Sequence, residues 1–353
     1  MANVAQNIIM PPPHVFRVVF QYVGQGESTL LAVPDGDRHK IVLVDSNEDG
    51  EGNNGIDIPR LLEDLFRDTQ DRLAAYINTH PHKDHFDGVR KIYDAVGIDQ
   101  LWHSGHKPGG DHKDAYKDLE YVMQKLGDGR VFCLKGSRED NKLDDKEVKL
   151  GDINYNVLSP AEYVCDDIDD EDPDARYRRI HEQCGVIRFR YGQQEKQILL
   201  TGDASREAWE THITDYHKDR LPSTVLSAVH HGSNTFFWEN ADVDGNPYME
   251  HLKAINPTYV IVSAPTREKS KHDHPHKEAM EQYESQVGKD KVHHLGQREE
   301  CIIVDIDESG GINLYPDDEL VGAYGSKKNG SDKSSGGGGG QIIMTRLDRK
   351  PMG

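Results

Sequence analysis

The stretch INTHPHKDHFDG, residues 77–88, constrains this chain more than any other. It continues a short apolar run, AAYINT (74–79), that reads as a buried strand, and it places His80, His82, Asp84 and His85 within six residues. Phe86, Val89, Ile92 and Val96 then recur at helical spacing. A strand must therefore end here, a turn must gather four polar side chains, and a helix containing Phe86 must follow. Residues two apart in an extended segment point to the same side, so His80 and His82 can grip one cation. Asp84 and His85, at the turn, can reach a second beside it. Imidazole and carboxylate donors suit zinc, and also admit manganese and iron. The helix N-terminus adds a partial positive field that favours hydroxide or phosphate nearby.

Around this loop, strand-like and helix-like segments alternate from about residue 14 to 316. HVFRVVFQYV (14–23) and STLLAVP (28–34) read as strands joined by the turn GQGE (24–27), and HKIVLVDSN (39–47) as a third strand whose apolar run implies burial on both faces. The turn lacks the G-x-x-x-x-G-K-[ST] pattern and joins two strands, so it is a hairpin and not a nucleotide-binding loop. Further strands are expected at 98–103, 130–134, 153–158, 185–191, 197–201, 224–229, 258–263 and 300–306, and helices at 57–69, 115–126, 205–213 and 277–287. Residues 1–13 read as a loose N-terminal arm ending at a proline triplet. CDDIDDEDPD, within an acidic stretch at about 165–175, reads as a solvated insertion. GSKKNGSDKSSGGGGGQ (325–341) reads as a flexible linker inside a C-terminal region, 317–353, whose last residues are a candidate docking peptide for a protein partner.

Bulk properties narrow the field. The 353 residues suffice for one large domain with a sizeable core. No apolar stretch approaches the roughly 20 residues of a membrane-spanning helix, so no membrane association is expected. The opening MANVAQNIIMPPPH lacks a basic segment followed by an apolar one, so it does not read as a secretory signal. Cys133, Cys165, Cys184 and Cys301 form no C-x-x-C pattern, which points to a reducing cytoplasm and away from a disulfide framework or cysteine zinc site. A net charge of −20 argues against non-specific duplex binding, although bound metal can reverse the field of one cleft.

HPHKDH matches the H-x-H-x-D-H signature of the metallo-β-lactamase fold, and the chain resembles that family. It looks most like the subgroup found as the soluble domain of the ComEC-type DNA-uptake competence proteins. VGQGESTLL (23–31) is similar to that subgroup's opening hairpin, IVLVDSN (41–47) to its strand ending in aspartate, and ILLTGDAS (198–205) to its strand ending in glycine–aspartate. LSAVHHGSNT (226–235) is similar to its H-H-G-S motif, and HDHPHKEAM (272–280) to its closing histidine–proline motif. The resemblance implies a four-layer αβ/βα sandwich over about 14–316, with two mixed sheets face to face, helices outside, and a site at one sheet edge.

It also implies roles. His80 and His82 would hold a first ion, Asp84 and His85 a second, and Asp203 would bridge them. His230 is favoured to complete the second site because it directly ends the apolar strand VLSAV. His231 is the alternative and would otherwise face substrate. Asp45 would accept the far ring N–H of a ligating histidine. The family's further histidine on the first ion has three candidates here, His103, His106 and His181, but each reads first as a polar surface histidine, and the ComEC-like subgroup often lacks this ligand, so that Asp203 and solvent would complete the first site. From the residues themselves, the proline-stiffened HDHPH could hold His274 or His276 against substrate as donor or general acid, or be a structural loop, and Ser233 and Asn234 could donate to a substrate oxygen, with simple turn chemistry the plainer reading.

Two adjacent cations, zinc foremost, would ionise a shared water at neutral pH, and the hydroxide would attack phosphorus or a carbonyl carbon. The expected activity is phosphodiester hydrolysis, of nucleic acid or a small molecule, with Lys83, Lys107, Arg267 and Lys271 as a basic rim. Hydrolysis of a lactone, thioester or lactam is the alternative on the same ions. A non-catalytic metal-binding interaction protein is a third reading, against which the open ligand series counts.

Overall fold

The computed structural model describes residues 3–48, 52–108, 110–161, 172–239, 243 and 245–326. All but the first two residues of the expected linker, the candidate docking peptide and most of the acidic insertion lie outside these residues. Sixteen strands are described. They are β1 (Val15–Phe20), β2 (Thr29–Asp35), β3 (Arg38–Val44), β4 (Ala75–Ile77), β5 (Leu101–His103), β6 (Val131–Cys133), β7 (Lys142–Leu143), β8 (Lys146–Glu147), β9 (Asn154–Ser159), β10 (Val186–Tyr191), β11 (Lys196–Leu200), β12 (Val225–Ser227), β13 (Tyr259–Val262), β14 (Val292–His294), β15 (Cys301–Asp307) and β16 (Ile312–Asp317).

Eight strands form one mixed sheet in the order β16-β15-β1-β2-β3-β4-β5-β6. It is antiparallel from β16 to β3 and parallel from β3 to β6. A second mixed sheet runs β14-β13-β12-β11-β10-β9, parallel from β14 to β11 and antiparallel beyond. Parallel neighbours need crossover connections, and helices supply them. Such crossovers are α2 (Ile58–Phe66), α3 (Val89–Val96) and α4 (Lys113–Leu126), while α1 (Val4–Ile9) precedes β1 and α5 (Pro173–Glu182) joins the antiparallel β9 and β10. Asp57 caps α2 by accepting the Arg60 N–H at 3.2 Å, and α3 stops at Gly97, whose φ of 74° a side chain would resist.

The alternation of side chains along each strand builds the layers. In the second sheet Ile187, Phe189, Ile198, Leu200, Val225 and Ile261 face the first sheet and share its core. Their strand neighbours Val186, Leu199, Leu226, Val260 and Val262 face the other way, into a second core with Trp209, Phe236, Phe237 and Tyr283. Trp102 of β5 meets Tyr155 of β9 with ring centroids 5.0 Å apart, and Phe16 of β1 meets Tyr191 of β10 at 6.2 Å. Each such fully buried ring contributes roughly 2–3 kcal/mol. The result is the four-layer αβ/βα sandwich expected of the metallo-β-lactamase fold.

Three expectations need correction. The region from residue 317 does not begin as linker: Glu319–Tyr324 is a helix with Leu320, Val321 and Tyr324 buried. The arm 1–13 is not loose from residue 4 onward. It forms α1, capped by Asn3, with Ala5 and Ile9 buried. The helix after the histidine loop starts at Val89 and not at Phe86. Lys83–His85 makes a separate 3₁₀ turn, and Gly88, at φ 82°, intervenes. The polar elements β7, β8, β16 and α5 carry weak apolar periodicity and were not expected from sequence.

Candidate metal centre

Every parallel strand near the middle of the two sheets delivers a polar side chain at its C-terminal end. β3 leads to Asp45, β4 to Thr79 and the histidine loop, β11 to Asp203, β12 to His230 and His231, and β13 to Ser263. These ends converge on one cleft of about 1090 Å³.

Several overlapping groups of donor atoms lie there among the described residues, and two of them face each other across Asp203. In the first, His82 Nδ1 lies 3.1 Å from His80 Nε2 and 3.0 Å from His181 Nε2. In the second, His231 Nε2 lies 3.3 Å from His85 Nε2 and 3.4 Å from Asp84 Oδ2. Asp203 stands between them with its oxygens divided. Oδ2 is 3.6 Å from His80 Nε2 and 3.9 Å from His181 Nε2, while Oδ1 is 3.2 Å from His85 Nε2 and 3.6 Å from His231 Nε2.

The outer ring nitrogens say which atoms are free for a cation. Asp45 Oδ2 accepts from His85 Nδ1 at 2.8 Å and from Thr79 Oγ1 at 2.7 Å. With its proton spent on Asp45, Thr79 Oγ1 accepts from His80 Nδ1 at 3.2 Å. His231 Nδ1 donates to the Ser263 carbonyl at 3.0 Å. Each of these rings thus carries its proton on the outside and turns Nε2 inward. Lone pairs and two carboxylates then confront one another in a buried space, and Asp203 Oδ1 has no hydrogen-bond partner. Such a donor set is repulsive by itself and fits divalent cations.

The proton affinities follow the same division. Burial, aided by neighbouring imidazoles, holds His80 and His181 well below the usual histidine range and takes His82 down to about 3. In the second cluster burial also opposes charge, but Asp203 and Asp45 outweigh it at His85, and Asp203 and Asp84 at His231, so both are raised. That field calls for positive charge, which a metal ion supplies as well as a proton. His82 is further held between two rings, His112 and Tyr177, each with its centroid 4.7 Å away.

The paired histidines divide between the two sides of Asp203, and His230 lies with His181 and Asp203 closely enough to share an ion. His231, not His230, joins Asp84 and His85. His230 sits beside the first cluster, its Nε2 3.3 Å from Asp203 Oδ2 and its Nδ1 3.0 Å from Thr235 Oγ1. The cause is local backbone. His230, His231 and Gly232 have φ of 50°, 55° and 79°, so the chain reverses in three left-handed residues and the second histidine swings inward. Asp45, also left-handed at φ 56°, is a third non-glycine residue of this kind at the site.

Of the three candidates for the further histidine, His181 joins the first cluster, brought in by α5. His103 accepts from the Gly105 N–H at 3.1 Å, and neither it nor His106 lines the cleft. His274 lines the cleft with its ring 5.1 Å from that of His230, and burial takes it down to about 2. His276 also lines it, but its Nδ1 accepts the Asn234 N–H at 3.1 Å. Asn234 Oδ1 in turn accepts the Ala279 N–H at 3.1 Å, in the first turn of the helix Lys277–Val287, so that side chain holds structure. Ser233 Oγ accepts from Thr235 N and Oγ1, which is turn chemistry, while the residue lines the cleft. Of the expected basic rim, Lys83 and Lys271 line the cleft. Lys107 and Arg267 do not, and pair with Glu120 and Asp273. Arg178 and Arg206 take their place, among the carboxylates of Glu48, Asp87, Glu182, Glu207, Glu210 and Glu239. Gln25, on the hairpin turn whose edge was expected near the site, lines the cleft, as do His112 and Tyr177. No local motif marks the last two.

Neither a family model nor a curated protein matches this sequence. Solved structures of similar shape include CmlA, a diiron β-hydroxylase from Streptomyces venezuelae, at 14% identity and a TM-score of 0.44, with 84% of this chain aligned to 55% of that one. This chain thus spans about half the length of CmlA. Igni18, a metallo hydrolase from Ignicoccus hospitalis, aligns over 85% of this chain and 98% of its own at 15% identity and a TM-score of 0.42. BJP-1, a subclass B3 metallo-β-lactamase of Bradyrhizobium japonicum, aligns over 73% and 80% at 15% identity and a TM-score of 0.30. At these values the likeness is one of shape and carries no function. Among the described residues no helix is long and apolar enough to cross a membrane.

Proposed function

We propose that the protein is a dinuclear metal-dependent hydrolase whose substrate is a small phosphodiester. The observation that carries this is the Asp203 carboxylate, with one oxygen toward each of two ligand clusters. His80, His82 and His181 would hold the first ion, Asp84, His85 and His231 the second, and Asp203 both. Zinc suits the imidazole-rich set. A pair of such ions supplies an ionised water at neutral pH and Lewis acidity toward the scissile group. The protein's own part is to hold its ligands in one tautomer, through Asp45, Thr79 and the Ser263 carbonyl. His230 and His274, turned toward the cleft and not tied into either trio with Asp84 or His82, are placed to meet substrate.

A diester is favoured over an uncharged ester by the cations of Lys83 and Lys271 around the opening. The motifs shared with ComEC-type domains favour it too. A small substrate is favoured over a nucleic-acid strand by the carboxylates among those cations, which would repel a polyanion. The same carboxylates, Glu182, Glu207, Glu210 and Glu239, support a second reading in which the substrate is a neutral lactone or thioester.

A substrate panel on metal-loaded protein separates the readings. Turnover of bis(p-nitrophenyl) phosphate, abolished in His82→Ala and Asp203→Ala, is the expected result. Turnover of lactone or thioester alone would favour the second reading. No turnover with both ions bound would leave a binding protein. Tight, strongly salt-dependent binding of single-stranded DNA or RNA would replace the small diester with a polymer.

A further inference from the structure

The turn VGQGES enters the cleft with a side chain that no motif assigns. We propose that Gln25 presents its side-chain N–H group to an oxygen of the substrate, on the side of the cleft that carries Asp84 and His231. The inference rests on reading the cleft as a hydrolytic site.

The hydrogen-bond network fixes which end of this amide faces the cleft. Ser270 Oγ lies 3.2 Å from the backbone N–H of His272 and 3.2 Å from that of His274, and both donate to it. Its lone pairs are thereby taken, and its one proton goes to Gln25 Oε1 at 2.9 Å. The oxygen of Gln25 is held toward Ser270, so Nε2 points away from it. Gln25 is 6% exposed, lines the same cleft as Asp84, Lys271 and His274, and its Nε2 has no protein partner among the described residues. Nε2 is not sealed from solvent as the unpartnered amides of Gln21 and Gln183 are, so it opens on the cleft, where a substrate oxygen can take the place of water.

The turn is braced against the loops that carry the second ligand trio. Asn47 Nδ2 donates to the carbonyls of Gln25 and Val23. The Gly26 carbonyl accepts from Ser263 Oγ at 2.9 Å, and the carbonyl of that same Ser263 orients His231. The Glu27 N–H donates to the Asp84 carbonyl at 3.3 Å. Gln25 is thus fixed by its backbone and by its own oxygen, as a binding group needs to be if it is to cost little ordering when substrate arrives. Its partner is an oxygen bearing partial or full negative charge, as on a phosphoryl group or a tetrahedral carboxyl centre.

The competing role is a simple pin for the 270–274 loop, and one substitution separates the two. Gln25→Glu keeps the size and the acceptor for Ser270 but turns an anionic oxygen into the cleft in place of the donor. Inorganic phosphate is the probe, titrated by calorimetry into zinc-loaded protein whose metal content is measured in parallel. Gln25→Glu and Gln25→Leu are expected to keep the wild-type metal content and to bind phosphate roughly tenfold to a hundredfold more weakly. Ser270→Ala, which frees the amide to rotate, should fall between. Wild-type phosphate affinity in Gln25→Glu, loss of metal from it, or no phosphate binding by the wild type would each overturn the assignment. The two readings fail separately. Absent diester turnover with weakened phosphate binding in Gln25→Glu sinks the phosphodiesterase reading alone. Intact turnover and intact phosphate binding in that variant sink the role of Gln25 alone.

Discussion

The carboxylate of Asp45 takes the outer proton of His85 at 2.8 Å, from a position fully sealed from solvent. Through Thr79 the same carboxylate also governs His80 on the opposite side of the site. One buried acid therefore orients a ligand in each cluster. Asp45→Asn, which keeps the volume and loses the charge, is expected to weaken binding of both ions by about 10- to 100-fold. Thr79→Val should weaken chiefly the first. Competition with a chromophoric chelator measures both, and unchanged affinities would show that Asp45 is only a strand-end cap.

His231 and His230 should separate cleanly. His231→Ala removes a donor from the Asp84–His85 trio and is expected to lower metal content from about two ions to about one. His230→Ala is expected to keep both ions and lose roughly tenfold or more in turnover. Elemental analysis beside diester turnover decides, and the reverse pattern would restore the strand-end histidine as the ligand.

Gly26 and Gly36 both have positive φ, yet they should respond differently to alanine. At Gly36, φ 62°, a methyl group meets nothing within 4 Å, and the cost should be the left-handed penalty of about 1 kcal/mol. At Gly26, φ 122°, the methyl would lie 2.6 Å from the Asp84 carbonyl and 2.9 Å from Asn47 Cβ. Gly26→Ala should cost about 3 kcal/mol or more and lower the content of the second ion. Thermal melts and metal analysis of the two variants test the contrast.

Away from the site, burial lowers His212 to about 4, and burial reinforced by His212 lowers His217 to about 4. Unfolded, each would titrate near 6.5. Between those values the unfolded chain binds more protons than the folded one, so stability rises with pH across the window and is lost as pH falls from about 6.5 to 4. His217→Gln removes one such proton. Its Tm deficit against wild type at pH 7 is expected to shrink or reverse by about pH 4.5. A constant deficit across that range would mean that His217 is not held neutral by the fold.

Much of this architecture was legible in the sequence because apolar runs and their spacing report burial directly. Val42–Val44, Ile187–Phe189 and Ile198–Leu200 each lie within strands read from composition alone, and the donors of the histidine loop follow from local spacing. What was not legible depended on backbone direction or on distant contacts. VLSAVHHGS does not reveal that three left-handed residues turn the second histidine inward. RRIHEQCG does not reveal that α5 leans its His181 on His82. The amide of Gln25 gained meaning only when Ser270, 245 residues away, fixed its orientation.

The proposed joining of two metal ions by Asp203 underlies every role assigned above. Its most direct test is metal stoichiometry and affinity of purified wild type against Asp203→Ala. About two tightly held ions per chain in the wild type, with at least one lost and the other weakened in the variant, is the expected result. A wild type that retains no divalent ion through dialysis, or a variant that holds both ions as tightly as before, would contradict it.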